Sequence, residues 1–290
     1  MAASKAPPCA RSSPAASERK RDKPPRHPRL VRAPLLVLTL LAGCVAPSAP
    51  AALPDSVAVL GDSISRATNA RDDSFGEFPA HAWATGGDAA DGVDSHYERL
   101  RALDPELDIV PFNNARSGAR VADLARQAEE TARQRAQYVV VLIGANDACA
   151  SPPTPVDAFA ARLREAADRL DGLGATVYVV SIPNVAQLAR VYADNATARA
   201  VWDAFRVCPG VLGPGADLDE AEARLRAYND ELRRVAEDKG WRWDGGAVFA
   251  TEFAAEDVST ADFFHPSLAG QARLAQVSWE AGPYASLPRR

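Results

Sequence analysis

The chain has few residues of the kinds that bind metal ions or carry redox chemistry. Its 290 residues include four histidines, four cysteines and one methionine. Neither Cys149 nor Cys208 has a histidine or cysteine close to it in sequence, whereas structural zinc sites take such ligands at short spacings. The sequence therefore predicts neither a metal site nor a cofactor.

The sequence also lacks an apolar run long enough to cross a membrane as a helix, which takes about 20 residues. The stretch 33–44 has roughly 11 apolar residues behind a basic, Pro- and Ser-rich segment, and this pattern is typical of a signal-peptide core. It ends in Leu41-Ala42-Gly43-Cys44, which resembles a bacterial lipobox and implies lipidation of Cys44. The alternative is an ordinary signal peptide cleaved after Ala51. We expect a disordered leader with signal peptide at 1–44, an Ala/Pro-rich tether at 45–54 and a folded domain at 55–290.

The leader carries much of the positive charge of the chain. Residues 1–43 hold nine Lys/Arg and two Asp/Glu, so the rest has 24 basic and 36 acidic residues and a formal charge of −12, against −5 for the whole chain. A strongly acidic domain is poorly suited to nucleic acid. No nucleic-acid partner is expected, and we expect a monomer that is exported, either as a lipoprotein on the outer face of the cell membrane or as a secreted protein.

Apolar runs alternate with helical patterns along the folded domain, which indicates an α/β fold with a parallel sheet and helices on both faces. The predicted strands are 56–60, 108–112, 137–143 and 176–181, with a further one near 241–248. The predicted helices are 93–102, 119–135, 155–171, 218–239 and 267–279, the last with Ser267 as N-cap and Leu268, Ala272, Ala275 and Trp279 facing inward. The segment 183–217 is the least regular, and we interpret it, together with 70–95, as a wall of a substrate cleft. The alternative is that the apolar residues of both segments belong to the ordinary core.

Four short motifs follow predicted strands or precede the last helix. They are Gly61-Asp62-Ser63-Ile64, Asn113-Asn114-Ala115-Arg116-Ser117-Gly118, Gly144-Ala145-Asn146-Asp147 and Asp262-Phe263-Phe264-His265. Residues beyond the carboxyl ends of parallel strands meet at one edge of the sheet, where open α/β sheets bind ligands. Ester hydrolysis needs a nucleophile, a base and oxyanion donors, and these motifs contain all three.

In this order, the motifs resemble the four signature blocks of the SGNH/GDSL hydrolases, over about 56–279. The resemblance implies a flavodoxin-like three-layer α/β/α sandwich. It also implies that Ser63 is the nucleophile, His265 the base and Asp262 the acid that orients it. The oxyanion hole would be formed by the backbone N–H groups of Ser63 and Gly118 and by the side-chain amide of Asn146.

Two residues of this region are open to more than one interpretation. Asp62 either caps the turn that follows it or joins the hydrogen bonds of the site. The position of the oxyanion glycine is also open, because many members of the family have a second glycine where this chain has Ala115-Arg116-Ser117, and Gly118 is the better fit. His81 and His96 lack a flanking Asp-x-x-His pattern and are interpreted as surface or packing residues.

A narrower resemblance rests on Trp83-Ala84-Thr85-Gly86-Gly87-Asp88 and on Cys149 directly after the third block. It points to the phospholipase B-like branch of the family. The alternative is a packed tryptophan before a turn.

The cysteines predict one disulfide. Cys9 lies in the leader and Cys44 is the candidate for lipidation, so Cys149 and Cys208 remain. An oxidising compartment favours a bridge between them. The alternative is a pair of buried free thiols.

The sequence thus predicts an exported serine esterase or lipase acting on a small-molecule or lipid ester, with phospholipids among the candidates, and anchored to the membrane through Cys44 if the lipobox is used. One alternative is a non-catalytic lipoprotein that binds envelope lipid or glycan. Another is an O-acyltransferase or a deacetylase of cell-wall sugars, because acyl transfer and hydrolysis share the acyl-enzyme.

Overall fold

The computed structural model describes residues 52–288. The predicted leader and signal-peptide core, with Cys9 and the lipidation candidate Cys44, lie outside these residues, as does most of the predicted tether at 45–54. The strands are β1 Ser56–Gly61, β2 Val110–Asn113, β3 Tyr138–Leu142, β4 Thr176–Val179 and β5 Arg242–Trp243. The helices are α1 His96–Leu103, α2 Leu124–Gln134, α3 Ala145–Cys149, α4 Val156–Leu170, α5 Gln187–Val191, α6 Ala196–Phe205, α7 Pro209–Leu212, α8 Leu218–Asp238, α9 Ala247–Ala250 and α10 Leu268–Glu280, with short 3₁₀ helices at Pro79–His81, Val121–Asp123 and Ala255–Asp257.

The five strands form one parallel sheet in the order β2-β1-β3-β4-β5. This is the flavodoxin-like order, in which the direction of winding changes beside β1. Every residue of β1 and β3 is buried, because central strands of a doubly wound sheet are covered on both faces. The predicted α/β fold with a central parallel sheet is confirmed.

Helices cover both faces of the sheet. Side chains of α2, α4 and α8 surround Leu60, Val141 and Val179 on one face. On the other face, α1 and α10 meet β3 and β4, where Tyr138 and Tyr178 are fully buried. Alternate residues of a strand point to opposite faces, so the apolar runs of the sequence supply both layers of the core.

The core on the second face contains a buried imidazole. His96 lies within an aromatic cage, with Trp83 and Trp279 edge-on at centroid distances of 5.4 and 5.3 Å. Its Nδ1 is 3.0 Å from the Tyr138 hydroxyl and its Nε2 is 2.9 Å from Ser278 Oγ. Burial lowers the pKa of His96 to about 3, with a smaller contribution from the charge of Arg99. His96 is therefore a neutral packing residue, as predicted.

Several predicted boundaries were wrong. The last strand has two residues instead of eight, because it ends where Asp244 begins the turn into α9. The segment 183–217 was interpreted as irregular, but it holds α5, α6 and α7. Such short helices depend on tertiary packing more than on their own periodicity. The predicted N-cap Ser267 is confirmed, since its side chain accepts from Gly270 N–H at 3.2 Å. Of the predicted inward residues of α10, Ala275 and Trp279 are buried, whereas Leu268 and Ala272 are half-buried. The buried residues of this helix are Gly270, Gln271, Leu274, Ala275, Ser278 and Trp279.

Within residues 52–288, no helix combines the length and the apolar character that crossing a membrane requires.

Candidate active site

Ser63 lies in the first turn beyond β1. Gly61 ends the strand beside β3, and a Cβ atom at this position would lie 2.4 Å from the carbonyl oxygen of Leu142. The side chain of Gln127 from α2 closes the end of the strand, because it accepts from Gly61 N–H at 2.7 Å and donates to the Gly61 carbonyl at 2.9 Å. The glycine is therefore required by the close approach of β3, and the buried amide fixes the point at which the chain turns toward Ser63.

The structure brings Ser63, His265 and Asp262 together. His265 Nε2 is 2.8 Å from Ser63 Oγ, and His265 Nδ1 is 2.6 Å from Asp262 Oδ2. Ser63 is 7% exposed, so its hydroxyl is nearly enclosed yet not sealed off. A hydroxyl bonded to an imidazole that is in turn bonded to a carboxylate is the arrangement that activates a serine nucleophile.

Asp262 is held in place by its own loop. Its Oδ1 accepts from the backbone N–H groups of Phe264 and His265 at 3.0 and 2.9 Å. Burial alone would raise the pKa of Asp262, but the hydrogen bond and charge of His265 and a hydrogen bond from Asn69 outweigh burial and lower it. Asp262 is therefore ionised at neutral pH and can stabilise a protonated His265.

Asp62 acts as the cap of the turn after β1. Its Oδ1 accepts from Ile64 N–H at 3.0 Å, whereas its buried Oδ2 has no hydrogen-bond partner among the described residues. Burial raises the pKa of Asp62 to about 7, and the charge of Asp147 adds to this while Ile64 N–H and His265 oppose it. The predicted capping role is confirmed, and no side-chain hydrogen bond joins Asp62 to Ser63, His265 or Asp262.

The two segments that carry the candidate oxyanion donors Gly118 and Asn146 are tied to each other. Gly118 has a φ of +76° and open space where a Cβ would stand, and its N–H donates to no acceptor within residues 52–288. The side-chain amide of Asn146 donates one hydrogen bond, of 3.1 Å, to the carbonyl of Ala119. This bond orients the amide beside Gly118 and leaves its second hydrogen available to a ligand.

Gly144 is the N-cap of α3, the short helix that carries Asn146. Its φ is +126°, and a Cβ there would lie 2.5 Å from Ile182. The next carboxylate, Asp147, accepts from Val121 N–H at 2.9 Å and from the Thr154 hydroxyl at 2.8 Å. The third motif is therefore both a tight turn and a buried hydrogen-bonding centre that joins neighbouring loops.

The predicted disulfide between Cys149 and Cys208 is present, with a Cα–Cα distance of 4.2 Å across a sequence separation of 59 residues. It joins the end of α3 to the residue that precedes α7. The bridge therefore restrains the segment that begins at Asn146. The alternative of two free thiols is wrong.

The segment 183–217 contacts the loop of Asp262 and His265. Trp202 Nε1 donates to the carbonyl of Phe263 at 3.2 Å, and Tyr192 packs edge-on against the Phe263 ring at 5.4 Å. Phe263 has a φ of +56°, in the left-handed region that costs a non-glycine residue energy. These contacts support the unusual backbone between Asp262 and His265.

Trp83 of the narrower motif is fully buried. Its indole N–H donates to Ser65 Oγ at 3.3 Å, and its backbone N–H donates to the side chain of Gln271 in α10 at 3.0 Å. Gly86 follows in a turn where a Cβ would lie 2.6 Å from the carbonyl of Ala80. The segment thus packs a tryptophan behind the turn that follows Ser63.

Sequence reasoning missed Asn69. Its Nδ2 donates to Asp262 Oδ2 at 2.7 Å across 193 residues of sequence. No motif marks the residue, since one asparagine in a loop carries no signal for a partner so far along the chain. No group of three or more His, Cys, Asp or Glu side chains within residues 52–288 is arranged to hold a metal ion.

Solved structures of similar fold include several ester hydrolases. An alpha/beta hydrolase from the metagenome of Lake Arreo, Spain, aligns with a TM-score of 0.52 at 23% identity, over 78% of this chain and 94% of that one. A mutant of an acetylxylan esterase from Geobacillus stearothermophilus aligns with a TM-score of 0.53 at 20% identity, over 78% and 93%. A lipase/acylhydrolase from Enterococcus faecalis aligns with a TM-score of 0.50 at 16% identity, over 77% and 92%. At these identities the likeness shows the fold.

A comparison with curated proteins found no match. The model of the GDSL-like Lipase/Acylhydrolase family matches residues 59–273, which is most of the chain and includes Ser63, Asp262 and His265. The chain therefore belongs to the GDSL-like lipase/acylhydrolase family.

Proposed function

We propose that the protein is a serine hydrolase that cleaves carboxylic esters through an acyl-enzyme on Ser63. The observation that carries the proposal is the unbroken hydrogen-bonded series from Ser63 Oγ through His265 to Asp262, with distances of 2.8 and 2.6 Å. Membership in the lipase/acylhydrolase family supports ester hydrolysis.

The first half of the reaction forms the acyl-enzyme. His265 Nε2 takes the proton of Ser63 as Oγ attacks the ester carbonyl carbon, and the carbonyl oxygen becomes an oxyanion. The N–H groups of Ser63 and Gly118 and the amide of Asn146 are the proposed donors to it. When the tetrahedral intermediate collapses, the C–O bond to the alcohol breaks, and His265 gives its proton to the leaving alkoxide.

The second half repeats these proton transfers with water. His265 removes a proton from water, the hydroxide attacks the acyl carbon, and collapse of the second intermediate returns the proton to Ser63 Oγ. Asp262 stays ionised throughout. It keeps the proton of the neutral imidazole on Nδ1, so that Nε2 is free to act as the base.

A polar pocket beside the oxyanion loop bears on the substrate. It has a volume of about 580 Å³ and borders Ser117. The charged side chains that line it are Arg66, Glu77, Arg116, Arg126, Glu130 and Arg133. Arg66 pairs with Glu77, Arg133 with Glu130 and Arg126 with Asp123. Among these charged side chains only Arg116 has no ion-pair partner within residues 52–288, and a polar lining with one such cation supports esters with a polar or anionic alcohol part. A phospholipid and an acetylated glycan both meet this description.

We also propose that the protein is exported, with Cys44 as a lipid anchor if the lipobox is processed. The Cys149–Cys208 disulfide supports this, because such bridges persist in oxidising compartments. Mass spectrometry of the mature N-terminus tests it. A diacylated Cys44 supports the anchor, and an unmodified terminus near Ala52 indicates a secreted form.

The decisive experiment is hydrolysis of p-nitrophenyl esters from acetate to palmitate by the wild type and by Ser63→Ala. We expect turnover that is lost in Ser63→Ala and retained in Ser286→Ala. This control changes an exposed serine two residues after Tyr284, which packs against Tyr138 at the start of β3, the end of the strand away from the motifs. A fluorophosphonate probe should label Ser63 in the wild type alone. A folded wild type that neither turns over any ester nor takes the probe would overturn the proposal and favour a binding protein.

A further inference from the structure

Asn69 lies in the turn that follows Ser63, and its two side-chain atoms have different partners. Its Oδ1 accepts from Gly76 N–H at 3.0 Å, while its Nδ2 donates to Asp262 Oδ2 at 2.7 Å. If the amide were reversed, its oxygen would face the carboxylate and its NH₂ would face an N–H donor. The partners therefore fix which end of the amide meets Asp262.

The atom that Asn69 contacts is the one that also binds the base. Asp262 Oδ2 accepts from both Asn69 and His265 Nδ1, whereas Oδ1 is occupied by two backbone N–H groups. Each donor on Oδ2 draws negative charge away from the other. The strength of the bond to His265 thus depends on Asn69.

The backbone of Asn69 is adapted to this contact. Its φ is +54°, a left-handed conformation that asparagine, aspartate and glycine tolerate better than other residues. The backbone is also tethered, since the main-chain N–H of Asn69 donates to the Gly76 carbonyl at 2.7 Å. The amide is therefore preorganised, and the turn that carries the nucleophile is joined to the loop that carries the acid and the base.

We propose that Asn69 is a positioning residue that tunes the Asp262–His265 pair through its hydrogen bond to Asp262. The role rests on the proposed function, in which His265 is the base for Ser63. Asn69 does not touch the reacting atoms. It restrains the carboxylate and sets how strongly that carboxylate stabilises a protonated imidazole.

Two variants separate this role from simple support of the turn. Asn69→Asp keeps the shape, the tolerance of positive φ and an acceptor for Gly76 N–H, but replaces the donor to Asp262 with a carboxylate. Asn69→Gly keeps the tolerance of positive φ and removes both contacts. Thr68→Val, the matched control, changes a neighbour that contacts Ser117 Oγ at 2.8 Å and not Asp262.

The first measurement is the titration of His265 by NMR on protein with ¹⁵N-labelled histidine. The chain has four histidines, and a His265→Gln variant identifies the signals that belong to His265. Other titratable groups near the pair are Asp62, Asp72 and Tyr192, and they are common to all variants. We expect the midpoint to rise from wild type to Asn69→Gly, and further in Asn69→Asp, because loss of a donor and then an added charge both favour the imidazolium. Thr68→Val should match the wild type.

The second measurement is the pH profile of ester hydrolysis. We expect the acidic limb of kcat/KM to move upward in the same order, by half a pH unit or more in Asn69→Asp, with kcat reduced and KM little changed. A positioning role is overturned if Asn69→Asp matches the wild type in both measurements. If the His265 midpoint shifts in the Asn69 variants while the wild type shows no esterase activity, the coupling of Asn69 to Asp262 is supported and the proposed function is rejected.

Discussion

The neutral His96 in the aromatic cage makes stability depend on pH. The unfolded chain binds a proton at this histidine below its ordinary pKa of about 6.5, whereas the folded protein keeps it neutral until about pH 3. Between these values the unfolded state holds more protons, so the free energy of unfolding falls as the pH falls. Linkage gives a loss of about 2 kcal/mol at this residue between pH 7 and pH 5.

Equilibrium unfolding in urea at pH 7 and pH 5, with the disulfide intact, measures this loss. Other groups titrate over the same range, and Asp62 acts in the opposite direction, so the informative quantity is the difference between wild type and His96→Gln. The variant removes the titration while it keeps a polar, uncharged side chain. The free energy of unfolding of the variant should be lower than that of the wild type at both pH values. This difference, the gap, should be about 2 kcal/mol smaller at pH 5 than at pH 7.

A gap that is the same at both pH values would contradict this prediction. So would a ring of His96 that titrates near pH 6 in the folded wild type, which NMR of the labelled histidines would detect without any substitution. His81 is a suitable internal comparison, since it is partly exposed and its Nδ1 is 2.7 Å from Asp91.

Three further predictions concern other parts of the site. Asp62→Asn keeps an acceptor for Ile64 N–H but removes a buried charge. The wild-type pKa of Asp62 is raised to about 7, so the free energy of unfolding of the wild type falls as the pH rises from 4 to 7. In urea unfolding, the difference in stability between variant and wild type should therefore shift in favour of the variant by up to about 4 kcal/mol between pH 4 and pH 8. Equal pH dependence would contradict this. Asn146→Ala should lower kcat by about 100- to 1000-fold in the p-nitrophenyl assay if its amide serves the oxyanion; a kcat near that of the wild type excludes the role. Replacing Cys149 and Cys208 by serine should lower the free energy of unfolding by about 4 kcal/mol, as should reduction with dithiothreitol, and unchanged denaturation midpoints would show that the bridge adds no stability.

The predicted strands agree with the structure where the strand residues are completely buried. Val57 to Leu60 and Tyr138 to Leu142 are apolar and fully enclosed, so their composition is set by the same environment that makes them central strands. The edge strand β5 has only two half-buried residues. Because β5 pairs with β4 alone, few contacts restrict which residues it contains. Its ends are therefore not marked in the sequence, and the predicted strand is longer than the one in the structure.

The interpretation of 183–217 failed for a related reason. Residues 196–205 form a helix that is held in part by a distant segment of the chain, since the indole N–H of Trp202 donates to the carbonyl of Phe263. Cys208 and Gly210 look like turn residues, yet a Cβ at Gly210 would lie 2.2 Å from the carbonyl of Ala150. The glycine is thus explained by a neighbouring loop and not by its own segment.

The sequence by itself determined the features that depend on local geometry. The apolar runs of the strands, the N-cap Ser267 and the three-residue spacing that lets Asp262 reach His265 all arise within a few residues. The glycines at the two turns, Gly61 and Gly144, are instead required by the approach of Leu142 and Ile182 from other elements. Tertiary structure alone decided the approach of His265 to Ser63 across 202 residues and of Asn69 to Asp262 across 193. It also left one oxygen of Asp62 buried with no hydrogen-bond partner among residues 52–288. The physical reason is that hydrogen bonds and desolvation depend on which atoms meet in space, and the order of strands in the sheet sets these meetings.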